Sequence, residues 1–278
     1  MLAEKSIKAA AGLAVLLACA LPLRSAPADP SRARVEQLVA AIRRADYEGD
    51  RPSLKRLFGE LASFDGDPEL GSRVDYWRGF ALWRRALNGF NESPFPSDLG
   101  SDLDLAVALF DAAVRKDVSF VDAKVGEVSC LMSLVFLNQK DAARMQAYLA
   151  RAIPLVKEAQ AQAPDNPRLL WVVGANQWYR ATNGLGGSTQ TALDTYERGL
   201  AAIKNQKPGD PLEPCWGEPE LLMNLAWSHL HATPPDPVGA QKFADSALSL
   251  VPNWHYVRDI LIPQIREARA RQQVQPAP

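Results

Sequence analysis

The stretch "LWVVGANQWYRATNGLGGSTQTALDTYERGL" (170–200) decides how this chain is read. Its apolar residues recur at three and four, the period of helices, and not at two, the period of strands. Between the two runs lies "NGLGGST" (183–189), with three glycines crowded into four residues. A phosphate-binding loop would need a preceding strand, a lysine after the last glycine and a Ser or Thr for the metal. Here a helix precedes, no lysine lies in the turn, and the spacing is G-x-G-G. Only a helix N-terminus, a weak anion site, is left of that reading. The local reading is complete: Asn183 and Gly184 end one helix in the left-handed conformation, Gly186 and Gly187 finish the turn, and Ser188 or Thr189 caps the next helix. The stretch is a pair of helices.

The same pair recurs along the chain. "YWRGFALWRRAL" (76–87), "AKVGEVSCLMSL" (123–134) and "LWVVGANQWYRA" (170–181) each place a glycine, Gly79, Gly126 and Gly174, early in an apolar helix. Each is followed by a second helix with a small residue and another seven on: Ala106 and Ala113, Ala152 and Ala159, Ala192 and Gly199, with Ala240 and Ala247 in a fourth. Seven residues are two turns, so each couple lies on one stripe. A glycine facing such a stripe lets two helices pack closely. Gly174, with Ala152, Val156, Ala159 and Pro164, and the sets Ala106-Phe110-Ala113 and Ala192-Tyr196-Gly199, resemble the pattern of tetratricopeptide repeats. The glycines stand 47 and 48 residues apart, whereas the family's period is about 34. Loops such as "NESPFPSDLG" (91–100) and "QKPGDPLEPCWGEP" (206–219) take up the excess. Residues 164–265 also look like exported bacterial tetratricopeptide-like proteins. The resemblance implies an all-α, right-handed superhelical solenoid of antiparallel helix pairs, with degenerate, elongated repeats and a C-terminal capping helix. It implies no activity.

Helix signals elsewhere agree. Asp67-Pro68, Asn166-Pro167 and Asp236-Pro237 each pair a capping side chain with a proline at the first helical position. The periodicity predicts helices over 32–48, 52–64, 69–89, 101–116, 120–138, 140–163, 167–182, 188–205, 219–231, 237–250 and 254–269. Pro154 is expected to kink or split the sixth. "ARARQQVQPAP" (268–278) lacks apolar periodicity. The organisation expected is a signal peptide at 1–20, a flexible linker at 21–31, the helical domain at 32–269 and a disordered tail at 270–278.

The N-terminal assignment rests on Lys5 and Lys8 followed by "AAAGLAVLLACA" (9–20), a basic segment and an apolar run too short to span a bilayer. Ala18-Cys19-Ala20 suits the general signal peptidase, while "LLAC" (16–19) resembles a lipobox in which Cys19 would be lipidated. Either cut implies export, to the periplasm or as an outer-membrane lipoprotein, and Cys19 is the one route to a membrane. With 31 basic against 32 acidic residues, no charge excess points to nucleic acid. Cys130, inside an apolar helical run, and Cys215 read as unpaired thiols.

No motif for chemistry stands out. His229 and His231, two apart on a helix, point to nearly opposite faces, and no HExxH, Cys-x-x-Cys or Gly-x-Ser-x-Gly is present. No catalytic residue, metal or cofactor is expected, and the protein is not read as an enzyme. Trp171 and Trp178 share one helical face, as do Tyr76 and Trp83. By the resemblance that face is the concave one, where the four would anchor a partner; the alternative is that they build the core. Arg73, Arg168 and Arg180 are candidates for an acidic ligand. In "EPCWGEPE" (213–220), Trp216 would serve as part of a lid or as a plug between the eighth and ninth helices. The candidate binding residues are therefore Tyr76, Trp83, Arg168, Trp171, Trp178 and Trp216. The function expected is non-catalytic binding of a protein or peptide through the concave face. The alternatives are a small-ligand accessory protein for envelope transport, with Trp171, Trp178 and Trp216 lining a pocket, and a hydrolase without a recognisable motif.

Overall fold

The computed structural model describes residues 29–206 and 209–274. The signal segment, Cys19, linker residues 21–28 and tail residues 275–278 lie outside the described residues. Among the described residues there are eleven α-helices and no strand. They are α1 (Pro30–Glu48), α2 (Arg51–Leu61), α3 (Gly71–Gly89), α4 (Leu99–Lys116), α5 (Val121–Leu137), α6 (Ala142–Gln162), α7 (Pro167–Thr182), α8 (Thr189–Lys204), α9 (Glu218–Leu230), α10 (Pro237–Leu250) and α11 (Ile262–Val274). They pack as five consecutive pairs, α1 with α2 through α9 with α10, and α11 closes on α10. The first helices α1, α3, α5, α7 and α9 each touch the next first helix along the stack.

The helix starts follow from capping chemistry. Asn166 accepts hydrogen bonds from the backbone N–H groups of Arg168 (2.9 Å) and Leu169 (3.1 Å), with Pro167 at the first helical position. Asp236 accepts from Gly239 N–H at 2.9 Å, and Ser188 from Thr191 N–H at 3.2 Å. Asp67 behaves differently. It accepts from Glu69 and Leu70 N–H, both at 2.9 Å, closing a turn ahead of a helix that starts only at Gly71. In the quoted turn Gly184, Gly186 and Gly187 have φ of 69°, 93° and 92°, whereas Asn183 has φ −103° and is not left-handed. We expect Asn166→Ala to lower stability by about 1 kcal/mol, since it removes two bonds to otherwise unpaired N–H groups. Urea unfolding would read this, and an unchanged midpoint would count against the cap.

Two boundaries differ from expectation. Pro154 does not split α6, which runs unbroken across it. Proline frees the carbonyl of Ala150, and Ala150 is exposed, so water can satisfy that group. Helix α6 is a peripheral element, with only Ala152 and Ala159 fully buried. At the C-terminus the predicted 254–269 helix is a π-helical stretch, Tyr256–Leu261, leading into α11, which continues to Val274 instead of stopping at 269.

The small-residue stripes are buried as expected, but the glycines chiefly meet aromatic rings and not the stripe itself, and Gly126 meets a ring of the preceding pair instead of its own second helix. Ala106, Ala113, Ala152, Ala159, Ala192, Gly199, Ala240 and Ala247 are all buried. The Phe110 ring lies between Gly79 and Gly126: a Cβ on Gly79 would come within 3.2 Å of it, and one on Gly126 within 2.5 Å. Tyr196 fills the same role over Gly174. Each ring on a second helix thus sits where a first helix has no side chain.

Candidate functional site

Helix α3 carries Tyr76, Trp77, Phe80 and Trp83 along its inner face, and α7 carries Trp171 on the adjoining one. The connection from α8 to α9 crosses this surface and buries Leu212 and Trp216 in it. The Trp216 indole lies 5.9 Å from Phe80, 5.5 Å from Trp83 and 5.8 Å from Trp171, centroid to centroid. Its N–H donates to Tyr76 Oη at 2.8 Å, which meets the usual requirement of a buried indole. Edge-on geometries dominate the cluster, as the quadrupoles of the rings favour.

The expected concave anchors are therefore core residues. Tyr76 and Trp83 have no exposed surface, and Trp216, Trp178 and Arg168 expose 2%, 6% and 5%. Trp171 is half-buried. The cause is the long α8–α9 loop, which folds back and covers the face that tetratricopeptide geometry would leave open. Trp216 is a plug, but one set against α3 and α7, not between α8 and α9. Nor do Trp171, Trp178 and Trp216 line a common pocket: Trp178 packs edge-on to Trp227 (5.9 Å) in a cluster apart from Trp216, and Trp171 packs against both clusters. Trp171→Ala together with Trp178→Ala should lower the melting temperature strongly, because each deletion leaves a cavity against well-packed neighbours. Unchanged melting would contradict the core assignment.

The candidate arginines already have partners. Arg168 donates to Asp122 Oδ1 at 2.5 Å and, through Nη1, to the carbonyl of Trp216 at 3.3 Å. Arg73 donates to Glu213 (2.8 and 2.5 Å) and Asp117 (2.6 Å), with its guanidinium 4.0 Å from the Phe120 ring. Arg180 holds the carbonyl of Leu185 at 2.8 Å.

A buried polar network lies beside this cluster, at the seam where α1 and α3 meet α9. Arg84 donates to Asp46 at 2.7 Å and reaches Glu220 at 3.4 Å. The Tyr47 hydroxyl and Gly217 N–H donate to the two oxygens of Glu220, at 3.0 and 2.9 Å, and Asn88 donates to Asp46 at 3.1 Å. Burial alone would depress the Arg84 guanidinium, but Asp46 and Glu220 outweigh it and hold the charge more firmly. Burial pushes the Glu220 carboxyl above the usual range, with Arg84 opposing, and pushes the Tyr47 phenol well up. Tyr47 also packs edge-on to Trp254, 5.2 Å away. The first helix is thus tied to the last pair, and the stack is closed by side chains from both ends.

The loop is pinned by carboxylates whose titration fixes a pH window. Arg73, then Ser119, holds the Asp117 carboxyl below its ordinary value. For Asp210 burial acts upward, but the Leu212 N–H and Arg32 prevail and lower it. A lowered folded pKa means stability that is complete above about pH 4 and is lost as pH falls through the lower folded value. We expect tryptophan emission to stay constant from pH 7 to 5 and to shift red below that window as the loop loosens. A red shift already complete at pH 5 would contradict this.

Two small open pockets accompany the site. One, about 240 Å³, lies between α6, α7 and α8 and is lined by Leu169, Leu170, Val173 and Arg198 among others. The other, about 220 Å³, lies beside the loop, walled by Arg43, Tyr47, Trp216 and Leu250. The histidines do not converge: His229 bonds Asp236 and His255 bonds Asp259, both at 2.9 Å, while His231 stacks on Trp227. Among the described residues no group of three or more His, Cys, Asp or Glu side chains is placed to hold a metal. Cys130 is free and buried, and Cys215 free and exposed.

No family model and no curated protein sequence matches this chain. In three dimensions it is similar to the crystal structure of a thermophilic tetratricopeptide-repeat protein of Thermus thermophilus, with a TM-score of 0.50 and 19% identity. The match covers 86% of this chain and 97% of that one. At that identity the likeness concerns the fold, and with the helix pairs described above it establishes that this chain has a tetratricopeptide-repeat-like fold.

Proposed function

We propose that the protein is an exported, non-catalytic scaffold that binds another protein. One observation carries the binding surface: large exposed apolar side chains gather along the edge of the hairpin turns. In a stack of antiparallel pairs every first-to-second turn falls on the same edge. Phe95, Phe136, Tyr179, Leu185 and Val238 all lie at such turns and are about half exposed or more. Phe90 joins two of them, 5.5 Å from Phe95 and 5.7 Å from Phe136, so that neighbouring turns share one aromatic patch. Exposed apolar patches of this kind mark protein contacts. The partner would present an apolar surface of its own, with aromatic anchoring supplying most of the affinity. Export is supported by the basic segment and apolar run of the first 20 residues.

Two experiments test the reading. Photocrosslinking residues at positions 95 and 136 should trap a discrete partner in envelope fractions, while one at Val118, on the opposite edge, should not. Phe136→Ser should weaken that partner's binding and leave stability within about 0.5 kcal/mol of wild type, as for other exposed positions. Equal trapping at all three positions, or none, would sink the assignment. Intact mass of the native protein beside a Cys19→Ser variant decides the route. An acylated Cys19 places the scaffold on a membrane, an unmodified chain starting near Leu21 places it in the periplasm, and a chain retaining Met1 in the cytoplasm refutes export.

A further inference from the structure

Of the two open pockets, the one beside the α8–α9 loop holds two charges that the protein does not match. Arg43 of α1 lines it, and among the described residues its guanidinium forms no salt bridge. Its Nε–H is covered by protein and finds no acceptor. Glu218, in the first turn of α9, lines the same pocket and is likewise unpaired among the described residues. Both residues are partly buried. The other arginines around the loop are matched: Arg32 with Asp210, Arg73 with Glu213, Arg84 with Asp46 and Glu220, and Arg168 with Asp122. A charge drawn partly out of water without a counter-charge is unfavourable. Here two of opposite sign share a space of about 220 Å³ without pairing with each other. Much of the remaining wall is apolar, from Ile203, Trp216, Leu250 and Val251. The pocket between α6, α7 and α8 lacks this feature. Its arginine, Arg198, donates to the Pro164 carbonyl at 2.8 Å and pairs with Asp165 at 3.3 Å.

We propose that this pocket binds a free amino acid with an apolar side chain, its carboxylate on Arg43 and its ammonium on Glu218. The guanidinium offers a planar fork of N–H donors that suits a carboxylate, and the Glu218 carboxylate accepts from the ammonium. The apolar side chain of the ligand rests on Trp216, whose indole is fixed by its bond to Tyr76, and on Ile203, Leu250 and Val251. Size agrees with so small a ligand, since pockets for drug-sized molecules run from about 300 to 1,000 Å³. The wall combines α1 with the end of α8, the start of α9 and the end of α10. A bound amino acid would therefore tie the first helix to the last pair, and occupancy would stabilise the closed stack. The site uses none of the hairpin-edge residues, so either assignment stands if the other fails.

The test titrates the full chain by calorimetry with free leucine and free phenylalanine, and with glycine, which carries both charges and no apolar body. The expected result is saturable binding of the first two, a raised melting temperature and at least about tenfold weaker binding of glycine. The N-acetyl derivative, which lacks the ammonium, and the amide, which lacks the carboxylate, should each bind at least about tenfold more weakly than the free amino acid. Arg43→Gln should bind the free acid and its amide equally, and Glu218→Gln the free amine and its N-acetyl derivative equally. Both variants should melt as wild type does, because neither removes a salt bridge among the described residues. Cys215, exposed in the pocket wall, reports the place of binding. A saturating ligand should slow its alkylation by iodoacetamide, read in the peptide that contains it. Absence of saturable binding up to millimolar concentrations overturns the proposal. So does equal binding of the blocked derivatives, which marks apolar contact alone, and so does unaltered alkylation of Cys215, which places the ligand elsewhere. If a variant does not fold, the derivatives tested on the wild-type chain decide by themselves.

Discussion

Arg84→Met should destabilise the protein by about 3–5 kcal/mol, the range found when one member of a buried ion pair is removed and its partner is left uncompensated. Two carboxylates would be stranded here. Asp46 keeps Asn88, and Glu220 keeps Tyr47 and Gly217, but neither retains a positive charge among the described residues. The methionine replaces the volume near Phe80, Trp83 and Trp216, over which the guanidinium now lies at 5.4–6.0 Å, so packing accounts for little of the loss. The sign of the pH response separates electrostatics from packing. Without Arg84 the charge that opposes burial is gone, and the Glu220 carboxyl, already raised in the wild type, rises further above its unfolded value. The native state then binds more protons than the unfolded state, and stability falls as pH rises. The deficit relative to wild type should therefore shrink between pH 7 and pH 5 in denaturant titrations. A deficit independent of pH would place the effect in packing and not in charge.

Gly174→Val is expected to be nearly as damaging, about 3 kcal/mol or more, at the upper end of overpacking effects. A glycine within a helix normally invites replacement, since a side chain there stabilises by about 0.5–1 kcal/mol. At Gly174 that gain is overwhelmed. A Cβ would overlap the ring of Tyr196, and that ring is locked between α7 and α8 with 2% exposure. Gly59 in α2 supplies the opposite sign, because a Cβ there meets nothing within 4 Å; Gly59→Ala should stabilise modestly. Combining Gly174→Val with Tyr196→Leu should recover part of the loss, since residues in direct contact do not act additively. Additive effects of the two changes would show that the glycine matters for some reason other than the facing ring.

These two cases mark the boundary of what is legible before folding. Gly174 and the stripe of Ala192 and Gly199 are legible because both lie within one helix pair, and helical periodicity places them on facing surfaces. The same holds for the caps at Asn166 and Asp236 and for the glycine turn at 184–188. Asp67 misleads as a helix cap because an Asp-Pro signal fits a turn as well as a helix start. Pro154 does not split α6, since the carbonyl it frees belongs to an exposed residue, and exposure is not a property of the local sequence.

The candidate site belongs to the other class. Arg84 and Arg85 are adjacent in "LWRRAL" (82–87) and look alike as sequence, yet Arg84 is buried against Asp46 and Glu220 while Arg85 pairs with Asp98, just before α4, and Asp102 in its first turn. Glu213, Leu212 and Trp216 carry only the signs of an irregular loop. The pairs that matter here, Trp216 with Tyr76, Tyr47 with Glu220 and Arg73 with Glu213, join residues 140, 173 and 140 positions apart. By itself the sequence determined the helices, their pairing and the small-residue stripes, since each depends on periodicity over a few turns. Only the tertiary structure decided which face is open. Which way a loop folds depends on apolar and charged surfaces from α1, α3 and α7 that come together only when the stack has closed.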